Sequence, residues 1–195
     1  MKLLISIFLL IFSFGVVHAD FRPTNYQIID SLASEYARKI ASEVKTQGLS
    51  GVNLKISSHQ LAKFSEMHFI EHLSNSDIKI SDEAGIAALE VNLGEVIVRY
   101  LQHEDSDSLM REILYNCSSI LNTGNSTTML SKFDKSYSDI IGRDEVATIQ
   151  NFSFPFTLAD VPEPNLSLFD KIIKPVVYIT TAAITVLLLF TVRSN

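Results

Sequence analysis

The sequence predicts an α/β fold: a small mixed sheet with two or three flanking helices, followed by one C-terminal transmembrane helix. Three observations predict it. Apolar residues recur at three and four positions over residues 29–44, the stripe of an amphipathic helix. Strict alternation follows in several later runs, the period of half-buried strands. Two long apolar runs stand at the ends of the chain, outside this pattern.

The leader is Met1-Lys2 and then LLISIFLLIFSFGVV, the length of a signal-peptide apolar region. Val17-His18-Ala19 places small side chains where a signal peptidase needs them, so residues 1–19 are expected to be a cleaved signal peptide and the exported domain to begin at Asp20. That domain is expected over residues 20–150. A proline-containing tether covers 151–171, a transmembrane helix 172–192, and a cytoplasmic tail 193–195. The run Pro175–Val192 carries no charged residue. At about 1.5 Å per residue its ~18 positions reach about 27 Å, close to a hydrocarbon core of about 30 Å. Arg193 then lies on the cytoplasmic side, as the positive-inside bias prefers.

Without the leader the chain holds 15 basic and 22 acidic residues, a net charge of −7, and it has no tryptophan and no basic run. Binding to a phosphate backbone is thereby excluded, so no nucleic-acid partner is expected. Cys117 is the one cysteine, so no internal disulfide forms. An exported eukaryotic domain of this size is usually stapled, whereas a bacterial periplasmic one often is not. The bacterial envelope, with an inner-membrane anchor, is the favoured location. Four N-x-S/T sequons, at Asn116, Asn125, Asn151 and Asn165, keep a glycosylated eukaryotic single-pass surface protein as an alternative.

The elements follow in order. Helix one has Ile29, Leu32, Ala33, Tyr36, Ile40 and Val44 on its apolar side, with Thr24 or Asn25 to cap its start and Gly48 its end. Val52, Leu54 and Ile56 mark a strand. Gln60 to about Leu73 reads as a second helix with Phe69, Ile70 and Leu73 buried and His68, Glu71 and His72 near the wet side. A short strand places Ile78 and Ile80 inward. From Ala87 to Tyr100 alternation runs through Gly94, one long strand kinked there. Ile113, Tyr115, Cys117 and Ser119 alternate in the first arm of a hairpin that turns at Asn122-Thr123-Gly124-Asn125 and returns through a polar strand. SYSDIIGRDEVATIQ is expected to be a third helix.

This order resembles the α/β domain of bacterial envelope-assembly proteins: the curli-secretion lipoprotein, the lipoproteins that activate penicillin-binding proteins, and the amino-terminal domain of the Tol-system propeller protein. The residues that carry the resemblance are SLASEYARKIASEV, FIEHLSNSDIKIS, and REILYNCSSILNTGNSTTMLS followed by SDII, within residues 26–141. The chain departs from those lipoproteins in lacking a lipobox cysteine. The resemblance implies a non-catalytic scaffold or adaptor that binds another envelope protein.

One motif points elsewhere. HFIEH places His68, Glu71 and His72 in the H-x-x-E-H pattern of inverted-motif zinc peptidases. Two imidazoles one helical turn apart supply two zinc ligands, Glu71 would serve as base, and Glu145 would be the third ligand. The alternative function is therefore a small zinc-dependent hydrolase. The favoured reading has no catalytic residue, metal or cofactor. Cys117, with His59 and His103 as the available bases, is expected to be a buried inert thiol. The acidic run His103–Asp107 is expected to be a solvated loop. Thr127 and Thr128, on the polar returning strand, are expected to form a sheet edge able to accept a partner strand.

Overall fold

The computed structural model describes residues 22–164 and 172–193. The expected signal peptide and a stretch of the expected tether lie outside these residues. Helix α1 (Asn25–Thr46) begins at Thr24, whose hydroxyl accepts the Gln27 amide while the Gln27 side chain accepts the Thr24 N–H. This reciprocal pair satisfies two of the amides that a helix start leaves open. Gly48, at φ +75°, provides the left-handed residue that ends it. Strand β1 (Gly51–Ile56) leads to helix α2 (Ala62–Asn75), then to β2 (Lys79–Ile80), β3 (Ala87–Gln102) and β4 (Ser108–Asn122). After the turn come β5 (Thr127–Met129) and β6 (Phe133–Gly142), a 3-10 turn, and the single-turn helix α3 (Val146–Ile149).

The sheet runs β2-β1-β3-β4, parallel among β2, β1 and β3 and antiparallel from β3 to β4. Beyond β4 lie β5 and β6, both antiparallel to it on the same side. Helices α1 and α2 cover one face. Leu109, Arg111, Ile113, Tyr115, Cys117, Ser119 and Leu121 of β4 all point into that layer. Each large aliphatic side chain buried there contributes about 1.5–3 kcal/mol. The opposite face is open, and on it Leu101, Met110 and Ile140 stand opposite one another across β3, β4 and β6. The bend expected at Gly94 is a register shift between Leu93 and Val96. A Cβ at Gly94 would stand 2.9 Å from the Asn116 carbonyl oxygen, so only glycine lets β3 and β4 approach there.

Three expectations change. The helix expected from SYSDIIGRDEVATIQ is instead β6, then the 3-10 turn and α3. Tyr137, Ile140 and Ile141 have helical spacing, but β6 pairs with β4 residue by residue from Cys117–Phe133 to Ser108–Gly142, and that ladder outweighs local preference. Ile80 points outward while Ile78 is buried. On α2, Phe69 and Leu73 are buried but Ile70 is 46% exposed, because the helix turns its 65–69–72 side inward, with His68 and His72 meeting α1.

Packing continues past residue 150. Phe154 packs against the core, and Phe156 and Thr157 are buried. The segment expected to span a membrane is helical as α4 (Lys174–Arg193), and its residues from Val176 to Val186 are exposed. Among the described residues no helix is long and apolar enough to cross a membrane, so the fold supports a terminal helix and not the span itself.

Candidate functional site

Phe64, Met67, His68 and Glu71 recur at three and four positions along α2, so they share one face of the helix. That face meets Tyr26 and Asp30 from the first turns of α1. Between them lies an open groove of about 370 Å³ that also takes in Ile70. Its wall is aromatic. Tyr26 meets Phe64 edge-on with centroids 5.6 Å apart and Phe154 at 4.7 Å, and Phe156 lies 5.7 Å from Phe64. Such pairs add about 0.5–1.5 kcal/mol each beyond the area they bury. Thr157 fixes the phenylalanine segment, its hydroxyl donating to the Phe154 carbonyl at 2.8 Å and accepting the Asn151 amide at 3.0 Å. Met67, 72% exposed, stands on the rim with Ile70, and the carboxylates of Asp30 and Glu71 stand beside them.

The two histidines of HFIEH lie on this helix but do not converge. His68 Nε2 lies 3.1 Å from Asp30 Oδ1, the geometry of an N–H donated to the carboxylate, and its ring sits edge-on to Phe64. His72 Nε2 lies 2.9 Å from the Ser34 hydroxyl. Glu145 is engaged elsewhere: it accepts the Gly142 amide at 2.6 Å and pairs with Arg22 at 3.4 Å. Among the described residues no group of three or more His, Cys, Asp or Glu side chains is placed to hold a metal ion. A zinc site needs its lone pairs aimed at one point, and these side chains are aimed at separate partners.

Cys117 is buried on the helix-covered side of β4, and burial pushes its thiol up to about 11. A nucleophilic thiol needs the opposite shift. His59 accepts the Leu61 amide and His103 the Asp105 amide, each a local cap. The acidic loop organises itself: the Asp105 carboxylate accepts the Asp107 amide and the Ser108 hydroxyl, which hold it below the usual carboxylate range. Of the sequons, Asn116 is half-buried in β4, Asn125 and Asn151 are exposed, and Asn165 lies outside the described residues.

Thr127 and Thr128 sit on β5, at the sheet edge. Leu130 donates its amide to Ser119 and Thr123 donates its own to Ser126. Antiparallel pairs alternate between exchanging hydrogen bonds and not, so Thr128 bonds to β4 and only Thr127 and Met129 turn their backbone outward.

Sequence reasoning missed two features. Phe152, Phe154 and Phe156 alternate in the segment expected to be a tether, and that spacing is the available signal. The second is a buried cluster around Arg111, whose side chain is fully buried. Its Nε and Nη2 donate to the two oxygens of Asp139 at 2.8 and 2.7 Å, and Nη1 donates to the Pro23 carbonyl and to Asn25 Oδ1 at 2.9 and 3.0 Å. Asn25 in turn donates to Tyr100 Oη at 2.7 Å and to the Thr157 carbonyl at 2.8 Å. Burial works against the guanidinium charge, and Asp139 more than offsets it, so the Arg111 pKa rises.

No family model matches the chain, and no curated protein matches it. Among solved structures it is similar to a minor lipoprotein from Acinetobacter baumannii, with TM-score 0.34, 9% identity, and coverage of 49% of this chain and 67% of that one. It is also similar to the rare lipoprotein B from Shewanella oneidensis, with TM-score 0.33, 17% identity, and coverage of 46% of this chain and 69% of that one.

Proposed function

We propose that this chain is a membrane-anchored, non-catalytic protein of the bacterial envelope whose exported domain binds another protein. The observation that carries the reading is the groove between α1 and α2. Its wall is aromatic, its rim carries exposed Met67 and Ile70, and its charged lining residues include Asp30 and Glu71. Apolar side chains exposed together beside a concave surface mark an interaction site. The fitting partner is a segment that presents an apolar side chain next to a lysine or arginine. The separate engagement of His68, His72 and Glu145 weighs against the hydrolase.

Two features support the anchor. Residues 175–192 are free of charge. The hydroxyls of Thr180, Thr181 and Thr185 donate to carbonyls four residues back, at 2.8–2.9 Å, and so need no water. The single cysteine supports a bacterial location.

The test is in-cell cross-linking of the full-length chain from photo-reactive residues at positions 67 and 70. The expected result is one reproducible envelope partner, lost in Met67→Asp/Ile70→Asp and lost when residues 20–160 are replaced by an unrelated domain. Background alone would overturn the reading, as would stoichiometric zinc in the purified protein that disappears in His72→Ala.

A further inference from the structure

Strands β5 and β6 close one side of the sheet, and no strand lies beyond them among the described residues. Three contacts fix which β6 groups turn outward. The Ile140 carbonyl accepts a hydrogen bond from the Arg22 guanidinium. The Gly142 amide donates to Glu145. The Arg143 amide donates to the Asp107 carbonyl at 2.9 Å, just past the Ser108–Gly142 pair. Gly142 and every second residue before it are therefore the pairs that exchange no hydrogen bonds with β4. The amides and carbonyls of Asp134, Ser136 and Ser138 point out of the sheet.

Both ends of this edge are closed. At 140–142 the Arg22–Glu145 pair occupies the outward groups. Between β5 and β6 the register slips by one residue, and Glu43 of α1 accepts the amide of Ser131 there at 2.8 Å. Among the described residues nothing pairs the outward groups of Asp134, Ser136 and Ser138, and these three residues are exposed. Open edges of this kind accept another strand.

We infer that this window takes the same window of a second copy, antiparallel and centred on Ser136. The register follows from charge and blockage. With Ser136 opposite itself, Asp134 meets Ser138 and Lys135 meets Tyr137, all three outward residues are used, and about six inter-chain hydrogen bonds form. Centring on Lys135 would set two lysines face to face, which is destabilising. Centring on Tyr137 would drive Asp134 onto Ile140, whose carbonyl Arg22 already holds. The contact is isologous and closes as a two-fold dimer, so it does not grow into a fibre. It makes one continuous sheet across two copies, with both helical layers on the same side, and leaves the α1–α2 groove outside the pairing strand.

The test is disulfide trapping of full-length Ser136→Cys in membranes under mild oxidation. The opposed Cα atoms of a hydrogen-bonded pair lie about 5.5 Å apart, within disulfide reach. Cys117 is buried and serves as a silent background. The expected result is a cross-linked dimer from Ser136→Cys and none from Ser126→Cys at the exposed hairpin turn. Adding Ser138→Pro should reduce the cross-link at least tenfold, since it removes an outward amide and no β4 hydrogen bond. The Ser136→Cys chain keeps the native backbone, so its result stands whether or not the proline variant folds. A monomer from Ser136→Cys whose thiol reacts with a maleimide would overturn the inference. Equal cross-linking from both cysteines would also overturn it.

Discussion

Two polar clusters lie beside α1, and they differ in what they have lost to water. Arg111 is fully buried and is held by Asp139, Asn25 and the Pro23 carbonyl. His68 and His72 lie at the half-buried seam between α1 and α2 and meet one α1 side chain each. A buried charge is costly to strand, while a half-exposed contact is readily replaced by solvent. Removing the conspicuous motif therefore costs the fold little, whereas removing the inconspicuous arginine alone costs much, because its buried partners are left stranded.

The sharpest way to break that contrast is to remove the arginine. Arg111→Ala strips the Asp139 carboxylate of its counter-charge and leaves Asn25 Oδ1 and the Pro23 carbonyl without their donor, and the expected loss is about 3–5 kcal/mol in urea unfolding. Arg111→Met with Asp139→Leu should cost far less than the two single changes added together, because neither charge is then stranded. Gly94→Ala comes next, at about 1–3 kcal/mol, since its Cβ meets a backbone oxygen that side-chain motion cannot move aside.

A pH series tests the dry face of β4 directly. Burial raises the Cys117 thiol from 9.0 to about 11. Below pH 9 both states keep the proton and its contribution is fully present. As pH rises from 9 through 11 the unfolded chain loses its proton first, the folded chain holds more protons, and stability falls. Burial raises Tyr36 and Tyr115 as well, so they add the same sign at higher pH. Cys117→Ala should flatten the first stage of this loss, read as the unfolding midpoint at pH 8 and pH 10.5. The smallest effect is expected from His68→Ala and His72→Ala, each under about 1 kcal/mol. A loss from either that rivals Arg111→Ala would overturn the comparison.

Much of the helical layer was legible because its signals are local. The α1 stripe, its Thr24–Gln27 start and the Gly48 stop lie within one stretch of chain. The Gly94 kink and the Gly124 turn are equally local. Strand β6 was not legible, because what makes it a strand is β4, whose paired residues run from Cys117, opposite Phe133, back to Ser108, opposite Gly142, while Tyr137, Ile140 and Ile141 mimic a helix. That miss hid a second feature. Arg111 falls on the apolar side of the β4 alternation, where an arginine needs a carboxylate, and its carboxylate is on β6. Of the site, His68 and Glu71 were visible, placed with His72 on the wet side of α2. Tyr26 and Asp30, which complete the groove, and the phenylalanines that back Tyr26 come together with it only through packing.

The way the chain leaves the domain has a mechanical consequence. The Gln102 side chain donates to the Glu163 carbonyl, and Arg143 donates to the carbonyls of Pro162 and Ser106. A pull applied to the chain at residue 164 would reach the Glu163 and Pro162 contacts before the Gln150–Ala159 bond, the buried Phe156 and Thr157, and the β4–β6 ladder behind them. The exit segment is thus fastened to the domain like a zip, with side-chain bonds at its free end and buried packing at its root.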